Sequence, residues 1–281
     1  PGPNDTFCAA DVPASAFEGG RIFHFGYPPL MRRMYLDEGH EVKVLMTRAH
    51  EAGLSTSLDV SQPDPDTEAG RVDWPALFAR VLPTVDIFLP GVEETLLMLD
   101  PERYADLAAM GEGNLLSQVT GDLLDELAQR LIDLGATIVG LKLGDQGIYL
   151  RTTADRARLA RLSEVLPIVL RHWRDRELLA PAFHTHVVGT TGAGDCTIAG
   201  FLSGLVRGLD PAAVLTSAVA VGACNVEAAD AVSGVPAWET VQSRIAAGWD
   251  KVPTRLRLQR WGWEANRQLW IGPADRGGTL A

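Results

Sequence analysis

The sequence predicts an α/β protein whose central sheet is mostly parallel and is covered by helices on both faces, in three layers. Apolar, β-branched segments alternate along the chain with segments whose apolar residues recur every three or four positions, which is typical of such a fold. The chain has 281 residues, of which 46% are hydrophobic, so it can bury a sizeable core. We therefore expect one core domain over residues 1–248 and a tryptophan-rich tail over residues 249–281.

The composition narrows the classes of partner. Lysine and arginine number 25 against 36 acidic residues, a net charge of −11, which argues against a nucleic acid or an anionic membrane as partner. We find no run of 18 apolar residues and no signal-peptide pattern, and therefore expect a cytoplasmic protein. The 3 cysteines lack metal-ligand spacing and are too few for a disulfide framework.

The first part of the chain predicts alternating strands and helices after an irregular segment over residues 1–20. Apolar periodicity and turn residues predict strands over 21–27, 54–60 and 85–89, and helices over 31–53, 75–82 and 95–99. Residues 100–119 are expected to form a surface insertion.

The later elements follow from caps and apolar spacing. Thr120 is expected to cap a helix with a leucine stripe that ends at Gly135. Strands are predicted over 136–143, 148–150 and 183–188, and helices over 154–176, 193–207, 212–229 and from residue 238. The arginines of 154–176 are interspersed with acids, which favours a solvated helix face. His184 and His186 alternate on the last predicted strand, but no third metal ligand is evident. The tail is expected to pack over an apolar patch or a second subunit.

The segment from Gly189 to Cys196, Gly-Thr-Thr-Gly-Ala-Gly-Asp-Cys, links a predicted strand to a helix of small and aliphatic residues. Its glycines allow a tight turn and a close approach to a ligand. The free N–H groups of the helix's first turn favour an anion there. Asp195 would repel a phosphate, so it either caps the turn or takes a proton from a group that attacks a phosphate.

Thr-Thr-Gly-Ala-Gly-Asp, followed by an apolar helix, resembles the C-terminal signature of the ribokinase-like (PfkB-type) carbohydrate kinases. The resemblance implies a ribokinase-like α/β/α fold in which Asp195 is the catalytic base. It also implies that the amides of Gly192, Ala193 and Gly194 form an anion hole, and that Thr191 lies at the nucleotide.

A second segment, Lys142-Leu143-Gly144-Asp145-Gln146-Gly147, fits a hairpin turn equally well. It is also similar to the family's Lys/Thr-Leu-Gly-x-x-Gly segment, which implies that Lys142, Gly144 and Gly147 line the nucleotide. The resemblance places Asn225 beside the adenine and ribose.

A third segment, Pro90-Gly91-Val92-Glu93-Glu94, is similar to the family's Pro-Asn-x-x-Glu pattern. The match implies that Glu94 helps to hold magnesium, although Gly91 stands where the family has asparagine. Asp59, at the end of a predicted strand, either faces the sugar or caps a turn. His24 is expected to be a core or supporting residue.

The resemblance implies an ATP- and Mg²⁺-dependent kinase that acts on a hydroxyl of a sugar or sugar-like small molecule. A nucleotide-binding regulatory protein remains open as an alternative, because Gly91 and Gly189 depart from the family pattern. A nucleoside kinase on the same fold also remains open. The segment that carries the family's first strands and lid is not found here, so we expect either a fragment or a member without it. Because family dimers often pair through that lid, a homodimer also remains open.

Overall fold

One sheet of eight strands forms the centre of the computed structural model, which describes residues 2–276. In chain order the strands are β1 (Ile22–Phe25), β2 (Ser55–Leu58), β3 (Ile87–Phe88), β4 (Ile138–Lys142), β5 (Ile148–Thr152), β6 (Glu177–Ala180), β7 (Gly262–Glu264) and β8 (Leu269–Ile271). Their spatial order is β1-β2-β3-β4-β5-β6-β8-β7.

The sheet is mixed rather than mostly parallel. Strands β1 to β4 pair in parallel, with Ser57 opposite Ile87 and Ile87 opposite Ile138. From β4 onward every pairing is antiparallel. Between β4 and β5 the turn after Lys142 reverses the chain at once, with no crossover helix. The prediction of an α/β fold is confirmed, whereas the predicted parallel pairing holds only for the first half of the sheet.

The helices connect and cover these strands. They are α1 (Pro3–Thr6), α2 (Arg32–Tyr35), α3 (His40–Glu51), α4 (Trp74–Val81), α5 (Val92–Leu99), α6 (Pro101–Met110), α7 (Gly121–Asp133), α8 (Arg156–Val165), α9 (Leu170–Trp173), α10 (Ala193–Val206), α11 (Pro211–Asn225) and α12 (Trp238–Ala246). The predicted cap Thr120 is confirmed, since its side chain accepts a hydrogen bond from the Leu123 amide. Asp210 caps α11 in the same way, accepting from the Ala213 amide.

Two apolar cores lie on opposite faces of the sheet. Neighbouring strand residues alternate between them: Phe88 and Leu179 belong to the core with α3, α4, α5 and α7, while Ile87 and Leu178 belong to the core with α8, α10 and α11. Since successive strand side chains point to opposite faces, both faces are buried under helices. The three-layer prediction is therefore confirmed.

The predicted strand over 183–188 is wrong. Phe183 makes an isolated bridge to Lys251. The His184 amide donates to the Asp250 carbonyl and the Val188 amide to the Val226 carbonyl, both outside any strand. The sheet position is taken instead by β6, just upstream. Its four residues are all buried, so they give no alternating pattern in the sequence.

Two other predictions need correction. Residues 100–119 are not a plain surface insertion, because they contain α6, capped by Asp100, and bury Leu115 and Val119 in the core. The predicted helix over 154–176 is two helices, α8 and α9, separated at residues 166–169. Pro167 explains the break, since proline disfavours helical geometry in the preceding residue.

The tryptophan-rich tail adds the hairpin β7–β8 to the edge of the sheet beside β6. Trp261 is buried, with its ring centroid 6.0 Å from that of Tyr149, and Trp263 packs on Trp270 at 5.2 Å. Pro1 and residues 277–281, which the predicted domains include, lie outside the described residues. The domain boundary at residue 248 stays a prediction.

Candidate active site

Polar side chains gather where the first four strands end. Tyr27 lies two residues beyond β1, Asp59 one residue beyond β2, and Lys142 is the last residue of β4. The carboxyl ends of parallel strands meet at one edge of a sheet, where α/β proteins commonly bind ligands. Asp195, in the first turn of α10, reaches the same edge, because the hydroxyl of Tyr27 donates a hydrogen bond to its carboxylate.

The loop before α10 requires a glycine at its N-cap. Gly192 has a φ of 78°, and a Cβ there would lie 2.6 Å from the carbonyl oxygen of Ala231. The Ala193 amide donates to the Thr190 carbonyl, at 3.2 Å, and the Cys196 amide to the Gly192 carbonyl, at 2.8 Å. Within residues 2–276 the amides of Gly194 and Asp195 have no acceptor, so these two can receive an anion.

The carboxylate of Asp195 does not cap this turn. Asp195 is the third residue of α10, the N-cap is Gly192, and no side chain caps the helix. The carboxylate is exposed and accepts the Tyr27 hydroxyl instead. Burial and this hydrogen bond raise the pKa of Tyr27, so the phenol keeps its proton and remains a donor. The geometry thus favours the second of the two alternatives for Asp195, that of a proton acceptor.

Asp59 and Lys142 form a buried ion pair beside Asp195. The Lys142 Nζ lies 2.6 Å from Asp59 Oδ1 and 2.7 Å from the carbonyl oxygen of Leu89. Burial raises the pKa of Asp59 to about 6 although the nearby Lys142 opposes the shift, and the charge of Glu94 raises it further. Asp59 therefore holds Lys142 in place, and its predicted position facing the sugar stays a prediction.

Glu94 is folded back over Gly91 at the start of α5. A Cβ at position 91 would lie 1.7 Å from Glu94 Oε2, so the glycine leaves room for the carboxylate. Among the described residues no group of three or more His, Cys, Asp or Glu could hold a metal ion. Magnesium is commonly bound through one or two carboxylates together with substrate phosphates. Glu94, whose charge acts on Tyr27 and Asp59, fits that mode as a single carboxylate.

A cavity of about 390 Å³ opens next to the first turn of α10. Lys142, Gly144 and Gly147 lie on its wall, opposite Ala193 and Gly194. Its other wall is largely apolar and includes Phe183, Val219, Ala223, Val226 and Val252. The segment over 142–147 also forms the hairpin turn between β4 and β5, so the two alternatives for this segment are compatible.

Five predicted site residues are outside the lining of this cavity. Gly192, Asp195 and Glu94 belong to the polar group described above, and the other two are Thr191 and Asn225. Thr191 is exposed and outside the lining, where its neighbour Thr190 lies instead. Asn225 is fully buried, and its amide donates to the Ala231 carbonyl at 2.6 Å. Asn225 thus supports the loop that packs against Gly192, and its predicted contact with a nucleotide stays a prediction.

The histidines of the sequence analysis are separated. His24 has its Nδ1 3.0 Å from the Ser57 Oγ on the neighbouring strand, a supporting contact. His184 lines the cavity while His186 is exposed, and the segment that carries them is not a strand.

Sequence reasoning missed Tyr27 and the aromatic wall of the cavity. Tyr27 lies between Gly26 and two prolines and has a φ of 61°. This residue pattern indicates a turn, and it is the signal in the sequence for an unusual position. Phe183 lines the cavity and belongs to a column of side chains. Trp249 stacks on Phe183 at 4.4 Å, Arg244 lies over the Trp249 ring at 3.5 Å, and Lys251 lies over Phe183 at 3.6 Å. No short motif predicts such a column, because its members come from separate segments.

The chain matches a family model described as pfkB family carbohydrate kinase over residues 42–238. It is 26% identical over 210 residues to an uncharacterized sugar kinase of Archaeoglobus fulgidus, covering 75% of this chain and 62% of that protein. It is also 26% identical over 256 residues to 2-dehydro-3-deoxygluconokinase of Bacillus subtilis, covering 86% of this chain and 61% of that protein. The chain therefore spans about three fifths of the length of these curated relatives.

Solved structures share the fold at low sequence identity. Fructokinase with bound ATP from Xylella fastidiosa has a TM-score of 0.60 at 18% identity, covering 86% of this chain and 66% of that one. A second solved structure is that of aminoimidazole riboside kinase from Salmonella enterica, complexed with aminoimidazole riboside and an ATP analog. It has a TM-score of 0.56 at 22% identity, covering 85% of this chain and 66% of that one. These likenesses agree with the ribokinase-like fold expected from the sequence. No helix among the described residues is long and apolar enough to span a membrane.

Proposed function

Because the chain belongs to the pfkB family of carbohydrate kinases, we propose that it transfers the γ-phosphoryl group of ATP to a hydroxyl of a sugar or sugar-like small molecule. The observation that carries the proposal is the hydrogen bond from the Tyr27 hydroxyl to Asp195. A carboxylate that already accepts an O–H donor, beside free helix amides, is placed to take a proton from an acceptor hydroxyl. Asp195 is therefore proposed as the general base.

The cavity next to α10 is the proposed nucleotide site. Its apolar wall suits a nucleobase, and Lys142 and the α10 amides lie at the end that suits phosphates. Phosphoryl transfer depends mainly on positioning and on neutralising charge. The amides of Gly194 and Asp195 are free for this in the present structure, whereas that of Ala193 is engaged with Thr190. One good donor of this kind contributes about 3–4 kcal/mol to transition-state stabilisation.

Glu94 is the proposed metal-binding residue. When bound, Mg²⁺ supplies charge neutralisation at the phosphates of ATP. Glu94 would hold it by one carboxylate, and Lys142 is the cation that this chain itself contributes nearby. ATP appears in the names of solved relatives, a fructokinase and a riboside kinase. Both support ATP as the phosphoryl donor here.

Two other functions are distinguished by experiment. A nucleotide-binding regulatory protein is favoured by Gly91 and Gly189, which replace the polar residues that the family pattern has at these positions. A nucleoside kinase is favoured by the likeness to a riboside kinase. All three functions use the same cavity, but only the two kinases yield a phosphorylated acceptor.

The test is product formation. The purified protein is incubated with ATP, Mg²⁺ and single members of a panel of neutral sugars, sugar acids and nucleosides, and ADP and phosphorylated products are followed by mass spectrometry. We expect ADP release that depends on one class of acceptor and a matching phosphorylated product. ATP binding without any phosphorylated product across the panel would favour the regulatory alternative.

A further inference from the structure

A second cavity, of about 510 Å³, lies at the other end of the β5–β6 hairpin from the proposed nucleotide site. Four arginines line it: Arg156 at the start of α8, Arg171 in α9, Arg174 just after α9, and Arg276 at the end of the described chain. Leu159, Ala160 and Leu170 form an apolar part of the wall. The phosphoryl-transfer site described above uses none of these residues.

The positive charge of this cavity is not compensated by the protein. Within residues 2–276 none of the four arginines forms a salt bridge. One acid, Asp175, also lines the cavity, but it pairs with Arg151 at 3.3 Å. Asp155, which precedes Arg156 in the chain, pairs with Arg158 at 3.5 Å while capping α8. Four like charges around one cavity repel one another. The cluster is positive although the net charge of the chain is −11.

Buried contacts hold the arginine-bearing segments together. The Arg276 amide donates to the Asp175 carbonyl at 2.9 Å, and Asp275 pairs with Arg176 at 2.9 Å, both side chains being almost fully buried. The Ala274 amide donates to Glu177 Oε2 at 2.6 Å. The end of the described chain is thereby fastened beside β6, which brings Arg276 to the same cavity as α8 and α9.

We propose that this cavity binds a phosphorylated small molecule. The planar guanidinium groups match phosphate oxygens in pairs, and several of them around one cavity suit a phosphate ester. The volume is within the range of small-molecule sites, and the apolar wall offers contact to the carbon skeleton of such an ester. A solvated helix face, the expectation from the sequence, explains α8 alone but not the convergence of α9 and the Arg276 segment on it.

Isothermal titration calorimetry tests the proposal, with glucose 6-phosphate as the probe and glucose as its uncharged match. A saturating non-hydrolysable ATP analogue is present, so that the proposed nucleotide site is filled. We expect glucose 6-phosphate to bind at this cavity with an affinity that weakens with added salt. The double variant Arg171→Gln/Arg174→Gln should bind it at least tenfold more weakly. Any binding of glucose at the proposed acceptor site should be the same in the wild type and in this cavity variant. The measurement does not depend on catalysis and therefore stands whether or not the protein is a kinase.

A charge-matched control is the double variant Arg103→Gln/Arg260→Gln, whose arginines pair with Glu126 and Asp122 on the surface. It should bind glucose 6-phosphate like the wild type. If the first double variant does not fold, Arg156→Gln replaces it, since the Arg156 side chain makes no hydrogen bond or salt bridge within residues 2–276. Absence of glucose 6-phosphate binding to the wild type, or undiminished binding by the cavity variant, would overturn the proposal.

Discussion

The hydroxyl of Tyr27 donates a hydrogen bond to the carboxylate of Asp195, joining a turn after β1 to the first turn of α10. The two residues are 168 positions apart in the chain. If Asp195 is the general base, the phenol occupies one of the positions from which an acceptor hydroxyl would donate its proton. An incoming acceptor then displaces Tyr27 or shares the carboxylate with it.

Tyr27→Phe removes this competing donor and should lower the KM for the acceptor. A hydrogen bond to a charged group contributes about 1.5–3 kcal/mol, part of which water recovers, so we expect a change on the order of tenfold. Water can also reach the freed carboxylate, and ATP hydrolysis without acceptor should rise. Steady-state kinetics with and without acceptor measure both effects.

The matched control is Tyr104→Phe, the same chemical change on α6, where the Tyr104 hydroxyl accepts only a bond from Gln62. It should leave both quantities unchanged. A Tyr27→Phe variant with an unaltered KM and unaltered acceptor-free hydrolysis would show that the phenol does not compete for the base.

The glycines at positions 192 and 194 should respond oppositely to alanine. Gly192→Ala places a Cβ at positive φ and 2.6 Å from a carbonyl oxygen, which should cost at least about 2 kcal/mol of unfolding free energy. In Gly194→Ala the nearest atom to the new Cβ is a Lys142 carbon at 3.8 Å, so stability should change by less than about 1 kcal/mol. Denaturant unfolding measures both, and the reverse order would contradict this account of the loop.

The loop of Asp195, the turn over 142–147 and the capped helices could be predicted from the sequence, because each depends on local backbone chemistry. Glycine at positive φ, as at Gly192 and Gly147, and helix caps such as Thr120 leave short signatures. The hydrogen bond of Tyr27 to Asp195 and the pairing of Asp59 with Lys142 depend on how distant strands align, which no local pattern encodes.

The antiparallel half of the sheet was missed for a similar reason. β6 has no alternation because both of its faces are buried, whereas Phe183 to Val188 has an apolar pattern but binds loops. The segment that joins the sheet, β6, pairs with β8 of the β7–β8 hairpin. This pairing is a long-range contact that local sequence does not encode.

Glu94→Gln should weaken the binding of Mg²⁺ at the active site. A neutral amide is a poorer ligand than a carboxylate, so the Mg²⁺ concentration for half-maximal activity should rise about tenfold or more. Glu93→Gln, on the same turn of α5, is the matched control and should keep the dependence of the wild type. Identical magnesium curves for the two variants would remove Glu94 from the metal site.

Lys251 should make stability depend on pH. Burial lowers its pKa to about 7, from an ordinary value of 10.5 in the unfolded chain. Between these values the unfolded state binds the proton and the native state does not, so stability rises with pH from about 7 towards 10 and is lowest below 7. Relative to the wild type, the stability of Lys251→Met should therefore rise by about 3 kcal/mol when the pH falls from 9.5 to 6.5.

Chemical unfolding at several pH values checks this prediction. The exposed Lys43 on α3 supplies the control, and Lys43→Met should shift stability equally at every pH. A stability difference between Lys251→Met and the wild type that stays constant from pH 6.5 to 9.5 would show that the Lys251 amine does not titrate in this window.

The most direct test of the proposed mechanism is turnover by Asp195→Asn with the acceptor that the panel identifies. Asparagine keeps the shape of the side chain but cannot take the proton, and a general base typically contributes about 10²–10⁴-fold to the rate. We predict a loss of turnover in that range with nucleotide affinity nearly unchanged. Turnover equal to that of the wild type would contradict the assignment of Asp195 as the base.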